Sequence, residues 1–489
     1  MITTDTSAGA ERLTARTARL AGGGTGIDAA DVDLLAAAGR DGVLWQHEQF
    51  GLAGRGIAVR IELPHGLSDA AAVAGVAERL AAIAHHGDVT GPGTGAVALG
   101  ALPFAPDATA VLVVPRVLIG RRDGEAWITT ITGDGGDGPA VARLTAEITA
   151  DALRGCADPR PAPSQFTLTS VLDHDVWSGL VADTVARIEG GELGKVVLAR
   201  QVDVTANRPF VISDVLSRLL ALYPTCMVFR IGSFLGASPE LLIERRGTRV
   251  ASHPLAGTIG RSGDLATDEA LIAGLLASAK DRREHAYVID DLRSTLGPLC
   301  DDLEVPDKPT VLELRNVSHL ATQLTGVLAA RPDRQAGRGR GHTDPSPAGG
   351  QSAPAGDKAA RSISQPHPED QPALAGDKVA HPGLRVPSAL ELVARVHPTP
   401  AVGGTPTGAA VAYISEVEGF DRGQYAGPVG WMDACGDGSW AIGLRSADVD
   451  GDHASMYAGV GLVAGSRPGS ELEETQLKLQ ALLAALVRP

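Results

Sequence analysis

The 489-residue chain contains few aromatic residues, few cysteines and no long apolar run. Aromatics make up 3% of the residues, so a core must be built mainly from Ala, Val and Leu. The four cysteines are far apart and show no CxxC spacing, which argues against a disulfide framework and a zinc site and favours a reducing compartment. Without a signal-peptide core or a run of 18 apolar residues, we expect a cytoplasmic protein with no membrane span.

Lysine is the least frequent basic residue, since 37 of the 43 basic residues are arginines. The formal net charge of −15 argues against nucleic-acid and anionic-membrane partners, which bind basic surfaces. An anionic ligand would therefore need a local group of cations. Three of the six lysines lie in a turn or in a low-complexity segment. Lys195, Lys280 and Lys478 remain as candidates, although no role can be assigned to Lys280.

The composition divides the chain into three parts. Residues 1–40 are rich in Ala, Gly and Thr and predict a loose N-terminal leader. Residues 330–387 are rich in Pro, Gly, Ser and Arg with almost no large apolar residues, which predicts a disordered low-complexity insertion. Residues 41–329 and 388–489 predict a single folded unit. Hairpin-linked strands beside helices in this unit favour an α+β fold with antiparallel sheets.

The C-terminal helix is the most informative local pattern. Ser470 and Glu473 have capping-box spacing, which predicts a helix from Glu471. At 100° per residue, Glu471, Glu474 and Lys478 form one stripe beside the apolar arc. Acidic residues in a first turn also favour the helix dipole, but that alternative explains Lys478 poorly. Further helices are predicted by apolar spacing over 68–85, 139–157, 173–189 and 267–296.

Four other residues attract attention, although Lys195, Glu240 and Glu284 are each, taken alone, more often structural. Lys195 begins the strand of GKVVLAR, and Glu240 precedes the strand of GASPELLIE. Glu284 lies in the middle of a helix, close to its apolar stripe, where a solvated ion-paired face is the simpler explanation. Arg445 lies among small residues in the predicted strand SWAIGLRSADV, where its planar fork suits a ligand carboxylate or a salt bridge.

Nine motifs occur along the chain in one order. They are GKVVLAR (194–200), FLGASPELLI (234–243), HPLAGTIGR (253–261), KDRREHAYVIDDL (280–292), LRNVSHLATQLTG (314–326), LVARVHPTPAVGG (392–404), RGQYAGPVGW (422–431), AIGLRSA (441–447) and AGVGLVAGSRPGSELEETQLKL (458–479). Together they resemble the chorismate-utilising enzymes, and among them the isochorismate synthases. The resemblance implies a single catalytic unit with two large antiparallel sheets packed as a sandwich and helices outside.

The resemblance also implies an isomerase reaction and the residues that carry it. Chorismate would become isochorismate reversibly, by water addition at C2 and loss of the C4 hydroxyl, with Mg²⁺ as cofactor. Lys195 matches the base, which must be a neutral amine, and Glu240 matches the acid. Glu284 and Glu474 match the metal ligands, and Glu471 matches their water-holding neighbour. The matching substrate-binding residues are Gly257, Thr258, His319, Ala401, Tyr425, Leu444, Arg445, Tyr457, Gly459, Gly461 and Lys478.

Other members of the same group of enzymes remain as alternatives. Salicylate synthases share Lys195 and Glu240 and go on to expel pyruvate, whereas HPTPAVGG and YAGPVGW are more similar to isochorismate synthases. Ala256 replaces the nucleophilic lysine of aminodeoxychorismate synthases. An anthranilate synthase component or a non-catalytic chorismate binder fits less well. The resemblance implies a monomer that needs no glutaminase partner, and it does not choose between menaquinone and siderophore biosynthesis.

Overall fold

The computed structural model describes residues 12–135, 137–155, 158, 160–332 and 384–487. Of the described residues, those up to Leu328 and from Pro387 onward belong to one compact unit, and those within 329–386 belong to a second. Apart from its ends, the predicted insertion over 330–387 lies outside the described residues. No helix among the described residues is long and apolar enough to span a membrane.

Runs of consecutive strands are separated by helices along the chain. The helices are α1 Leu34–Ala38, α2 Ala70–Ala81, α3 Gly138–Arg154, α4 His174–Glu189, α5 Ile212–Leu222, α6 Leu265–Ala277, α7 Ala279–Leu296, α8 Ala389–Val396, α9 Thr407–Val417 and α10 Pro468–Val487. The strands are β1 Leu13–Ala21, β2 Val43–His47, β3 Phe50–Leu63, β4 Ala84–Gly87, β5 Val97–Ala101, β6 Ala110–Arg122, β7 Glu125–Gly133, β8 Phe166–Ser170, β9 Lys195–Ala206, β10 Met227–Ile231, β11 Phe234–Ser238, β12 Leu241–Arg246, β13 Arg249–His253, β14 Leu255–Gly260, β15 Cys300–Glu304, β16 Thr310–Glu313, β17 Val317–Ala321, β18 Leu324–Leu328, β19 Arg331–Pro332, β20 Leu384–Arg385, β21 Gly404–Thr405, β22 Pro428–Asp433, β23 Gly438–Ile442, β24 Ser446–Asp450 and β25 His453–Leu462.

The sheets are antiparallel, as the sequence predicts, apart from the parallel pair β1–β4. Twenty of the described strands are joined into one hydrogen-bonded network, and β14, β17 and β16 form a separate three-stranded sheet. A long antiparallel ladder joins β9 to β25, with Val196 opposite Leu462 and Thr205 opposite His453. The prediction of an α+β fold with antiparallel sheets is therefore confirmed. The large sheets are linked by hydrogen bonds into one network.

Two apolar clusters stabilise this arrangement. The described members of one come from strands and one connecting loop and include Trp45, Phe229 and Trp431, so this cluster lies where strands pack on strands. The other joins helices to the sheet, for example Leu482 of α10 to Val204 of β9. All five tryptophans are less than 2% exposed, so the few aromatic residues are concentrated in the core, where each contributes a large apolar area.

The prediction of a loose leader is wrong for residues 12–40. Leu13–Ala21 forms β1, which pairs with both β7 and β4. The side chains of Ala15, Thr17 and Ala21 are buried although none is large. In a chain with an alanine-rich core, small residues alternate between the faces of a strand as effectively as large ones. The lack of large apolar residues in this segment therefore did not indicate a lack of regular structure.

Three predicted elements have different bounds in the structure. The predicted helix 267–296 is two helices, because Ser278 is extended and its side chain accepts the backbone N–H of Asp281 as an N-cap. Helix α10 begins at Pro468, three residues before Glu471. The predicted strand around Arg445 is interrupted between β23 and β24, where Arg445 has a φ of 48°.

Candidate active site

One cavity collects most of the residues that the sequence singles out. It contains about 670 Å³ of empty space, including the part open to solvent. The predicted site residues that line it are Glu240, Gly257, Thr258, Glu284, His319, Ala401, Tyr425, Leu444, Arg445, Tyr457, Gly459, Gly461 and Lys478. The remaining lining residues are Val197, Pro239, Leu255, Ala256, Val402, Arg422, Ala426 and Ala458. Strands β9, β14 and β25, helices α7 and α10, and the loops before β21 and β22 therefore meet at one place.

Lys195 lies directly behind this cavity, at the first position of β9. Its side chain is fully buried, and Nζ is 3.2 Å from Oε1 of Glu284. It makes no hydrogen bond among the described residues. Glu284 itself lines the cavity, so the pair joins the buried amine to the cavity wall. Lys195 itself does not line the cavity. The sequence could not show its pairing with Glu284, because the two residues belong to β9 and α7, which are far apart in the chain.

Glu240 is the buried carboxyl of the cavity. It precedes β12 and is 3% exposed. Burial raises the pKa of Glu240 to about 8, although a hydrogen bond from the backbone of Leu255 and the charges of Lys195 and Lys478 oppose this rise. The carboxyl therefore retains its proton at neutral pH and can donate it, as the predicted acid role requires.

Arg445 is held by a chain of side chains. Its Nη2 is 3.0 Å from Nε2 of His319, and Nδ1 of His319 is 3.1 Å from Oγ1 of Thr258. Burial and the nearby positive charges of Arg445 and Lys478 keep the pKa of His319 well below its ordinary value. Since arginine can only donate, Nε2 of the neutral ring accepts and Nδ1–H donates to Thr258. His319 therefore orients Arg445 without adding charge.

Lys478 supplies a second cation on the same side of the cavity. Its Nζ donates to the carbonyl oxygen of Gly459 at 2.9 Å and is 2.7 Å from Oε1 of Glu474, one helical turn earlier. The rings of Tyr425 and Tyr457 stack beside it, with centroids 5.0 Å apart. A cavity with two fixed cations and a pair of aromatic rings suits a small ring compound that carries carboxylates.

The three predicted metal-site carboxylates are each paired with a lysine. Glu471 is 2.6 Å from Nζ of Lys280, whereas Glu284 and Glu474 pair with Lys195 and Lys478. Burial lowers the pKa of Lys280, but Glu471, Glu284 and Glu474 together raise it above its ordinary value, so all three act on one ammonium group. Within the described ranges, no group of three or more His, Cys, Asp or Glu residues has the spacing of a metal centre. The donor set is nevertheless entirely oxygen, which suits Mg²⁺.

The sequence model of the family described as chorismate binding enzyme matches residues 28–348 and 385–487. The chain belongs to this family. The resemblance inferred from the nine motifs is thereby confirmed.

Two relatives and one solved structure are similar to this chain. A Mycobacterium tuberculosis protein, MenF, which is provisionally assigned as an isochorismate synthase, is 35% identical over 407 residues, covering 81% of this chain and 87% of the relative. Isochorismate synthase DhbC of Bacillus subtilis is 34% identical over 332 residues, covering 66% and 70%. The structure of the menaquinone-specific isochorismate synthase MenF of Escherichia coli has a TM-score of 0.72 at 22% identity, covering 98% of this chain and 95% of that one. It supports the fold alone.

The sequence did not indicate the roles of two charged residues, Lys280 and Arg422. Lys280 had no assigned role, because its partner Glu471 is 191 residues away in the chain. Arg422 lines the cavity and pairs with Glu418 at i,i+4 spacing, a signal that was present in the sequence. A buried ion pair and a solvated one have the same residues at the same spacing, so the sequence does not distinguish them without the tertiary structure.

Gly461 provides a direct test of the packing behind the cavity. A Cβ at this position would lie 1.9 Å from Oε1 of Glu284 and 3.0 Å from Cε of Lys195. We expect Gly461→Ala to displace the Glu284 carboxylate and to lower kcat by about 10²-fold. Gly469→Ala is the matched control, because a Cβ there meets no atom within 4 Å. Equal kcat values for the two variants, measured with chorismate, would contradict the described position of Glu284.

Proposed function

We propose that this chain is an isochorismate synthase, which converts chorismate to isochorismate reversibly by adding water at C2 and releasing the C4 hydroxyl. The observation that carries the proposal is the juxtaposition of a buried amine, Lys195, and a buried carboxyl, Glu240, whose pKa is raised to about 8, at one cavity. The similarity to proteins named isochorismate synthases over most of the chain supports it.

Acid and base have separate tasks in this reaction. Lys195 accepts a proton from the water that attacks C2. Glu240 donates its proton to the C4 hydroxyl, which leaves as water. One residue gains a proton as the other loses one, so the roles exchange in the reverse direction. The protonated state of Glu240 is the one that the forward direction requires, and burial supplies it.

The anionic substrate is bound by the fixed cations of the cavity. Arg445 and Lys478 are proposed to hold the enolpyruvyl carboxylate, together with the backbone N–H groups near Gly459 and Gly461. Because His319 is neutral, the positive charge in this region is concentrated on the two residues that would meet the carboxylate. This arrangement provides the local group of cations that the acidic chain requires.

Magnesium is proposed as the cofactor, held by Glu284 and Glu474, with Glu471 as the neighbour that holds a coordinated water. When bound, the ion would supply a positive partner for the ring carboxylate of chorismate. We expect EDTA to abolish turnover and added Mg²⁺ to restore it fully, with a smaller effect of Ca²⁺, which prefers more ligands at longer distances. Unchanged turnover in excess EDTA would contradict the metal assignment.

The product distinguishes this function from its alternatives. The protein is incubated with chorismate and Mg²⁺, and the products are separated by chromatography. We expect isochorismate at equilibrium with chorismate. Salicylate and pyruvate as main products would assign the chain to the salicylate synthases, and binding of chorismate without turnover would assign it a non-catalytic role.

The pH dependence of turnover follows from Glu240. Because the acid must be protonated, kcat is expected to fall as pH rises through about 8, the raised pKa of this carboxyl. Steady-state rates between pH 6 and pH 10, with saturating Mg²⁺, measure this limb. An alkaline limb that persists unchanged in Glu240→Gln, at whatever residual rate remains, would assign the titration to another group.

A further inference from the structure

Strand β9, which carries Lys195 at its first position, has an interrupted neighbour along one edge. On the other edge β25 pairs with it continuously, from Val196 to Thr205. On the interrupted edge β21 pairs with Lys195 and Val196, and β8 pairs with residues 202–206. No described strand pairs with residues 197–201 on that edge. Backbone groups that would otherwise join a ladder are therefore left to find other partners just after the proposed base.

Backbone partners satisfy the two ends of this gap: the N–H of Val197 donates to the carbonyl oxygen of Gly403 at 2.8 Å, and the carbonyl oxygen of Gln201 accepts from the N–H of Val171 at 3.1 Å. Two side chains bind the backbone groups between them. Nη2 of Arg422 donates to the carbonyl oxygen of Val197 at 2.7 Å, and Oε1 of Glu418 accepts the backbone N–H of Ala199 at 2.7 Å. Val197 and Ala199 are alternate residues of β9, so both present their backbone groups to the same edge. The Glu418–Arg422 pair thus takes the place of the missing strand at the point where β9 leaves Lys195.

The same guanidinium also binds the adjacent wall of the cavity, in the loop before β21. Nη1 of Arg422 donates to the carbonyl oxygen of Val402 at 2.9 Å, and Nε is 2.7 Å from Oε2 of Glu418. Arg422 also lies over the ring of Phe104. Val197, Val402 and Arg422 all line the cavity. Arg422 therefore adds a side-chain link between β9 and the loop before β21, beside the backbone bond from the N–H of Val197 to the carbonyl oxygen of Gly403.

This pair is an expensive way to satisfy a few backbone groups. Glu418 is 1% exposed and Arg422 is 4% exposed, and removing two such charges from water is unfavourable for each ion. A strand or an apolar contact would provide stability at lower cost. What the bidentate pair adds is a fixed geometry, since the guanidinium fork defines direction as well as distance. Precise geometry matters most at the proposed base, Lys195, which is two residues before the Val197 carbonyl that Arg422 binds.

We propose that Glu418 and Arg422 are positioning residues for Lys195: they hold the start of β9 and the adjacent cavity wall so that the Lys195 amine meets the attacking water in a reactive geometry. This rests on the proposed function. Neither residue exchanges a proton with substrate. Their effect passes through Val197, two residues after Lys195, and through Val402.

The test is the division of the effect between kcat and KM. We expect Arg422→Ala to lower kcat by about 10²-fold, because small displacements of a catalytic group have effects of this size, while KM for chorismate changes less than about threefold. Arg422→Lys keeps the charge but cannot reach both carbonyl oxygens and Glu418, so it should also lose most of kcat. Glu418→Gln should show a smaller loss in the same direction.

Chemical rescue separates positioning from general destabilisation. Because Arg422 lines the cavity, millimolar guanidinium can reach the space left in Arg422→Ala, and we expect it to restore kcat at least about tenfold, whereas ethylammonium at the same concentration does not. Arg55→Lys is the matched control. Arg55 likewise pairs with a carboxylate, Asp151 at 2.7 Å, and donates to the carbonyl oxygens of Ala36 and Ala38, but away from this cavity. Its kcat should stay within about twofold of the parent.

Each outcome decides the question. A kcat of Arg422→Ala near the parent value, or a loss confined to KM, overturns the positioning role, and the second result would make Arg422 a substrate contact. If Arg422→Ala does not fold by circular dichroism, the kcat of Arg422→Lys and Glu418→Gln decides in its place. Failure of the parent protein to produce isochorismate overturns the proposed function itself, and is seen before any variant is compared.

Discussion

Lys195→Ala is expected to lower kcat by about 10²–10⁴-fold, the range found when a general base is removed. The amine is fully buried and is 3.2 Å from Glu284, and alanine places no basic group at this position. Arginine does not substitute, because a guanidinium stays protonated near neutral pH. Lys195→Arg should therefore be as inactive as Lys195→Ala, although it restores a long nitrogen-bearing side chain.

Binding and turnover must be measured separately for these variants. Chorismate dissociation constants, from calorimetry in the presence of Mg²⁺, should change less than about tenfold, because Arg445 and Lys478 remain in place. Lys308→Ala serves as the control, since Lys308 belongs to a surface groove elsewhere on the molecule and not to this cavity. A Lys195→Ala variant that turned over within about tenfold of the parent rate would refute the assignment of the base.

Glu240→Gln is expected to remove most of kcat, again about 10²–10⁴-fold, and to make the folded protein more stable at alkaline pH. Glutamine keeps the size and the hydrogen-bonding capacity of the protonated carboxyl but has no proton to give to the leaving hydroxyl. Because the parent side chain is 3% exposed, the same burial that raises its pKa to about 8 makes its ionised form costly.

The stability effect has a definite sign. The pKa of Glu240 in the folded protein lies above its ordinary value of 4.5, so the folded state binds more protons than the unfolded state between pH 4.5 and about 8. Stability therefore falls as pH rises through this window. Glutamine does not ionise, so we expect the Tm of Glu240→Gln to exceed that of the parent by ~3 °C at pH 8 and to match it near pH 4.5.

Differential scanning calorimetry at both pH values measures this difference, with Glu244→Gln as the control. Glu244 lies on β12, the strand that follows Glu240, but its side chain is 34% exposed and pairs with Arg246 at 2.9 Å. The control should show no gain at pH 8. If Glu240→Gln were less stable than the parent at pH 8, the buried carboxyl would have to be ionised and paired in the folded protein, and the assignment of the acid would be lost.

The motifs predicted the site better than they predicted the elements around it. Lys195 and Glu240 occupy the beginnings of β9 and β12, as their motifs indicate, and most of the predicted binding residues line one cavity. Bounds of elements were less accurate. Ser278 interrupts a helix that apolar spacing alone would continue, and Arg445 interrupts a strand that alternation alone would extend. In both cases a hydrogen-bonding or backbone preference of one residue outweighs the periodicity of its neighbours.

The prediction for the N-terminal residues was wrong for a different reason. The burial of β1 depends on β7 and β4, which come about 70 to 120 residues later, so its own small side chains give little sign of the contact. The same applies to Lys280 and Glu471, which are 191 residues apart, and to Arg422 and Val197, which are 225 residues apart. Contacts of this kind leave no local pattern, because each partner satisfies the other only after the chain has folded.

The sequence by itself determined the chemistry available to this protein: a rare amine at position 195 where arginine could not act as a base, a carboxyl at 240, three glutamates at 284, 471 and 474, and the order of motifs that marks the family. The tertiary structure decided the state in which these groups act. It buries Glu240 so that its pKa rises to about 8, pairs each glutamate with a lysine, and places Glu418 and Arg422 in the gap beside β9. The physical reason is that desolvation and charge pairing depend on neighbours in space, and those neighbours come from distant parts of the chain.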